Sequence, residues 1–235
     1  NISYQSEMFA AIGTLLACWF SMRIGQVTSR SVSKLSVGLF LAAILAMLSK
    51  ESGMHVLLLG PLCVLLKSRK NLRGLIVVLS ILFVAAFAAM GLRFLVLGDQ
   101  FLIGTTVMVH DNALVKLNYP LRIWNAMSYL GQYLILSFFP FHVSAVSGFA
   151  KYVPVRSVFD SSPTLLVQLT IVIVAGIAAI VGLLRGSRIG FWLSWFLFSF
   201  ALTSNLVFLI GTIFADRLSF VATLGICGLI ADLFF

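Results

Sequence analysis

The sequence predicts an all-α, polytopic bundle of transmembrane helices, and three observations carry the prediction. Of 235 residues, 61% are hydrophobic and only 10% charged, with a mean hydropathy of +1.11, whereas soluble domains carry about 25% charged residues. The apolar residues gather into runs that suit a bilayer, which takes about 20 residues per upright helix and fewer inside a packed bundle. No ten-residue segments alternate apolar and polar residues, as a membrane barrel requires. The formal charge of +9 would point to nucleic acid in a soluble domain. Here the basic residues fill short gaps between apolar runs, where they set topology. Nucleic-acid binding is therefore not expected, and the partner read from composition is the lipid bilayer. Cys18, Cys63 and Cys227 lie inside apolar runs, so no disulfide framework is read.

Seven runs qualify as spans: Glu7 to Met22, Leu35 to Leu48, Gly53 to Leu66, Leu72 to Leu97, Thr164 to Leu184, Ile189 to Ile213 and Leu218 to Phe235. The gaps holding Arg23, Arg30 and Lys34, then Lys67, Arg69, Lys70 and Arg73, then Arg185 and Arg188, face the cytoplasm by the positive-inside rule. The other gaps then face outward: residues 1–6, Lys50-Glu51, a long 98–163 segment and Ala215-Asp216-Arg217. An eighth run, Ile123 to Phe139, carries Asn125, Ser128 and Gln132 at spacings of three and four, expected to form one wet stripe on an otherwise apolar helix. Crossing there would reverse the charge bias of the gaps after it. It is therefore expected to lie at the interface or re-enter, and residues 98–163 to be extracytoplasmic. The chain opens at Asn1 without an initiator Met and closes inside an apolar run at Phe235, so residues 1–235 are expected to be part of a longer protein.

Four polar groups fall on the expected outer face. Lys50 and Glu51 lie between two apolar runs, and a continued helix would set His55 on the face of Glu51, four residues on. Arg93 stands near the outer end of a 26-residue run. His110-Asp111-Asn112 lies in the long segment, and Asp216-Arg217 at a helix junction. Singly these read as snorkelling cations, caps and Asx turns. Together, cations and carboxylates on one face of a bundle suit a site that holds a phosphate while an acid serves as base. There is no Walker A loop, HExxH, CxxC or GxSxG, and His55, His110 and His142 are too scattered for a metal-ligand spacing. Neither a metal nor a cofactor is expected.

In chain order the groups read Ser49-Lys50-Glu51-Ser52-Gly53-Met54, Arg93 with Gly98 and Asp111-Asn112-Ala113, Arg122 with Asn125-Ala126, Tyr133-Leu134 and Pro140, and finally Asp216-Arg217-Leu218-Ser219-Phe220. That series resembles the membrane domain of the transmembrane O-mannosyltransferases with tetratricopeptide repeats, the TMTC family, and their bacterial relatives in the GT-C glycosyltransferase superfamily. The chain departs from the family pattern with Ala113 for Pro, Asp216 for Glu, Phe220 for Tyr, and Ala222 and Thr223 for Pro-Ser. The family's Gly-Arg-Ser/Asp-Glu stretch reads Tyr4-Gln5-Ser6-Glu7, without the Arg.

The resemblance implies a partial GT-C-like membrane domain that moves a sugar, mannose in the eukaryotic members, from a polyprenyl-phosphate donor such as dolichyl phosphate. The acceptor would be a protein or glycan on the luminal or periplasmic side. The setting would be the endoplasmic reticulum membrane in a eukaryote or the inner membrane in a bacterium. Lys50, Arg217 and Arg93 would contact the donor phosphate. Glu51, Asp216 and His55 would orient them, and Asp111 and Asn112 would shape the loop over the sugar or acceptor. The catalytic acidic pair would lie upstream of Asn1, and the repeats would follow the chain, so the 235 residues are expected to be inactive alone. Two other classes fit the composition. One is a catalytically inactive polytopic scaffold, favoured by the departures; the other is a transporter or flippase, for which paired repeats with broken helices would be expected.

Overall fold

The structure of the chain, a computed structural model, describes residues 2–27, 32–98, 112–141, 153–206 and 209–234, with the side chains of residues 2–4, 216 and 217 outside the description. All regular structure among the described residues is helical. The chain forms two compact units, Asn1–Thr105 and Thr106–Phe235.

The first unit contains α1 (Ile2–Gln26), α2 (Val32–Ser49), α3 (Val56–Lys67) and α4 (Leu72–Leu97). Helix α1 packs along α2 and α3, and α4 packs against α2 and α3. Small residues make the seams: Ala17, Ala42, Ala43, Ala85 and Ala89 are buried with Leu39, Met47, Val78 and Leu82. In lipid there is little hydrophobic drive between helices, so close approach over small side chains supplies the attraction instead. Buried hydroxyls are satisfied on their own helix, Thr14 donating to Ala10 O and Ser21 to Ala17 O, both at 2.8 Å. The outward faces stay apolar, with Leu41, Val84 and Phe87 exposed, as bilayer contact requires. At one end Asn71 caps α4, its Oδ1 accepting from Gly74 N, while its Nδ2 donates to Gly25 O at the end of α1, both at 2.8 Å.

The second unit contains α5 (Tyr119–Phe138), α6 (Pro163–Arg185), α7 (Arg188–Ala201) and α8 (Phe220–Phe234), each packed on the next. Asn118 and Ser162 cap α5 and α6, each followed by a proline in the first turn. Gly186, at φ 79, stops α6 in the left-handed conformation and lets α7 begin two residues later. Tyr133 stacks on Phe214 with centroids 4.0 Å apart and packs on Phe200 at 4.4 Å, among Leu130, Phe196 and Ile226.

Among the described residues four helices are long and apolar enough to cross a membrane: Gln5–Gln26, Val32–Ser49, Leu72–Leu97 and Pro163–Arg185. Three other predicted spans are shorter in the structure. The run Gly53 to Leu66 opens as a 3-10 turn and gives α3 only 12 residues. That is about 18 Å at 1.5 Å per residue, against a hydrocarbon core of about 30 Å. The run Leu218 to Phe235 yields the 15-residue α8. The run Ile189 to Ile213 is broken after 14 residues, because Asn205 takes φ 61 and closes a local loop. Its Oδ1 accepts from Ile210 N at 3.0 Å and its Nδ2 donates to Thr212 O at 3.2 Å.

The polar stripe of α5 also differs from expectation. Ser128 donates to Gln168 Oε1 at 2.6 Å, Gln168 donates to Gln132 Oε1 at 2.5 Å, and Asn125 exchanges hydrogen bonds with the backbone of Val155. The stripe therefore faces α6 and the 153–157 segment rather than water. Gly131 allows this fit, since a Cβ there would run into the Gln168 backbone. Of the 98–163 segment, residues 99–111 and 142–152 lie outside the described residues.

Candidate functional site

The densest polar cluster of the first unit lies where α2 hands over to α3. Lys50 is extended, φ −162 and ψ 158, and a 3-10 turn follows over Glu51–His55. Gly53 is required there, because a Cβ would collide with the carbonyl of Ala46 in the last turns of α2. Its N–H donates to Lys50 O at 3.0 Å, which fixes the turn.

This geometry turns Lys50 and Glu51 to different partners. Lys50 Nζ donates to Glu7 Oε1 on α1 at 2.5 Å, and Ser52 Oγ donates to Glu7 Oε2 at 2.9 Å. Both oxygens of a carboxylate only 8% exposed are thus bonded. Glu51 instead reaches Arg93 on α4, whose Nη1 donates to Glu51 Oε1 at 3.0 Å while Nη2 donates to Met47 O at 2.8 Å. The Glu51 side chain is 81% exposed. A buried pair and a solvated pair therefore sit side by side, tying α1, α2 and α4 together. Charge in a low-dielectric setting persists where it is paired and its remaining lone pairs are used, and Glu7 meets both conditions.

His55 closes the turn, 2% exposed, and neither ring nitrogen has a hydrogen-bond partner among the described residues. The sequence placed it on the face of Glu51 by assuming an α-helix. In a 3-10 turn, residues three apart eclipse, so residues four apart point in different directions. Accordingly Glu51 is exposed and His55 buried.

Of the predicted site residues, Lys50, Glu51, Arg93 and His55 thus fall within one cluster of the first unit. Asn112 belongs to the second unit and is fully buried. Its Nδ2 donates to Asn205 Oδ1 at 2.8 Å and Ile210 O at 2.9 Å, and its Oδ1 accepts from Leu114 N at 3.0 Å. Asn112 is therefore a clip between two irregular segments, with its amide fully committed. Asp111, predicted beside it, lies outside the described residues. Asp216 begins a 3-10 turn, Asp216–Ser219, and the side chains of Asp216 and Arg217 lie outside the description. The backbone just before them is anchored: Tyr133 Oη accepts from Ala215 N at 2.7 Å and donates to Ala215 O at 3.0 Å.

Two participants escape a reading of the sequence. Glu7, 43 residues before Lys50, is matched to the Glu of the family's stretch, but nothing in the sequence pairs it with Lys50. Asn205 hides in a Thr-Ser-Asn triplet inside an apolar run, where the three polar residues were the available signal. Among the described residues no three His, Cys, Asp or Glu side chains gather to hold a metal ion. No family model, no curated protein and no solved structure matches this chain.

Proposed function

We propose that the chain contributes the membrane part of a GT-C-type glycosyltransferase that takes a sugar, mannose by the resemblance, from a polyprenyl-phosphate donor. The observation that carries the reading is the paired cluster of Lys50, Glu7, Glu51 and Arg93 at one end of a helix bundle with a lipid-facing exterior. A lipid-linked phosphate arrives at the headgroup level of a bilayer. There it would replace the solvated Glu51 on Arg93, gaining a charge-assisted hydrogen bond without uncovering the buried Glu7. Lys50, held by Glu7, whose second oxygen accepts from Ser52, would stay oriented toward the same phosphate. In the reaction the acceptor hydroxyl oxygen bonds to the anomeric carbon as the bond from that carbon to the donor phosphate breaks. The polyprenyl phosphate leaves with the electron pair, and the hydroxyl proton passes to a base. In this reading the base belongs to an acidic pair outside residues 1–235. The roles of Arg217 as a second phosphate contact, of Asp216 as its orienting acid, and of Asp111 near the sugar rest on the sequence, on charge and expected side together with the resemblance; Asn112, buried with its amide committed, would act there only by holding the loop.

Transfer from a polyprenyl-phosphate sugar by the full-length protein tests the reading. Lys50→Ala, Arg93→Ala and Arg217→Ala are each expected to lower transfer by at least about tenfold, the loss of one charge-assisted contact of about 1.5 kcal/mol. Full activity in the Lys50 and Arg217 variants would sink the assignment. The inactive-scaffold reading has its own support, since Lys50 and Arg93 already hold carboxylate partners. It predicts neither transfer nor retention of polyprenyl phosphate by the wild-type protein.

A further inference from the structure

At the opposite end of the first unit from Lys50 a crevice of about 850 Å³ opens between the end of α1, the start of α2 and the connection from α3 to α4. Its volume lies within the range of about 300–1,000 Å³ typical of small-ligand sites. The lining combines polar Lys70, Arg73, Ser33 and Ser68 with apolar Ile24 and Val77. Lys70 and Arg73 are exposed and form no ion pair with a described residue. Among the described residues of this unit the acids are Glu7 and Glu51, both paired at its other end. The Asn71 bond to Gly25 O holds one wall in place. The crevice also lies at the ends of α1, α2 and α4, three helices long and apolar enough to cross a membrane. One turn earlier on α1, Arg23 stacks over the exposed Trp19 at 5.4 Å, the amphipathic pairing found where hydrocarbon meets headgroups.

We propose that this crevice binds the phosphate headgroup of an anionic phospholipid, with Lys70 and Arg73 on the phosphate, Ser33 and Ser68 donating to its oxygens, and Ile24 and Val77 against the first carbons of the acyl chains. Basic pockets between membrane helices recognise headgroups in this way. A soluble anion would use the cations but leave the apolar wall unoccupied. The site is independent of the sugar-transfer reading, because it lies at the other end of the unit and shares no residue with it.

The test is titration of the purified full chain, in neutral detergent, with short-chain phosphatidic acid, bound lipid being counted by native mass spectrometry. The double variant Lys70→Gln/Arg73→Gln is expected to weaken binding by about thirtyfold, from about 1 kcal/mol per basic residue. Lys34→Gln/Lys67→Gln removes the same charge from exposed positions that do not line the crevice, and is expected to weaken binding far less. Equal losses in both pairs, or none in either, would overturn the site in favour of general surface attraction or no binding. Inorganic phosphate binding as tightly as the lipid would overturn the lipid assignment in favour of the free anion.

Discussion

Glu7 holds more of the first unit together than its neighbours because both its carboxylate oxygens are bonded and it is almost wholly shielded. Removing one member of such a pair strands the other, at a cost of about 3 kcal/mol, while replacing both with neutral groups of similar size costs far less. Lys50→Met alone is therefore expected to destabilise the protein in detergent by about 3 kcal/mol, and Glu7→Gln/Lys50→Met to recover most of that loss in a chemical-denaturation double-mutant cycle. Additive losses would show that the pair contributes no coupling. The solvated Glu51–Arg93 pair should behave differently: Glu51→Gln is expected to cost less than about 1 kcal/mol. Asn112 is the counterpart in the second unit. Asn112→Ala would leave the Asn205 carbonyl and the Leu114 N–H short of partners, and a loss of about 2 kcal/mol is expected in the same assay.

Among the elements, α5 shows where a pattern in the sequence has a different physical cause from the one it first implies. Asn125, Ser128 and Gln132 do form one stripe, as their spacing says. Spacing, however, cannot distinguish a face turned to water from a face turned to Gln168 on another helix. The limits of α2, α4 and α6 were legible to within three residues because a long apolar run bounded by charges has one cheap conformation in a bilayer, while α1 begins five residues before and ends four beyond the expected Glu7 to Met22. Those of α3 and α7 were not, since a 3-10 turn at Glu51 and a left-handed Asn205 depend on close tertiary fits. The same division holds for the site. Its cations were visible as charges in apolar surroundings, but the choice of Glu7 over Glu51 as partner of Lys50 is decided by the extended backbone at residue 50. The α5–α6 seam can be tested with paired glycines. Gly131→Val forces a side chain into the α6 backbone, whereas Gly176 faces open space. Gly131→Val is expected to lower the thermal midpoint clearly more than Gly176→Val, and equal shifts would mean that the seam does not hold the two helices.

At the scale of the molecule, the first unit has two unlike ends separated by the length of α1. Glu7 and Gly25 stand 18 residues apart on that helix, about 27 Å, close to one hydrocarbon thickness. In a chain with its native cysteines replaced, single cysteines at Lys34 and Lys67 are expected to react with an impermeant thiol reagent from one side of sealed vesicles, and one at Glu51 from the other. Reaction of all three from the same side would reject the placement. The fold of each unit gives its ends their character through the chain order of acids and bases, since α1, α2 and α4 carry charges only near their termini.

The Lys50–Glu7 and Arg93–Glu51 pairs also determine how the unit responds to voltage. Each pair is neutral as a whole, so the end that holds them has almost no charge for a transmembrane potential to act on. The crevice end carries Lys70 and Arg73, which form no ion pair among the described residues, and in a membrane these two would need about 2.3 kcal/mol per charge per 100 mV to be drawn toward the positive side. With that end in the cytoplasm of an energised membrane, the resting potential itself resists inversion of the helix bundle. Collapsing the potential during insertion would weaken that resistance without breaking any contact in the folded protein.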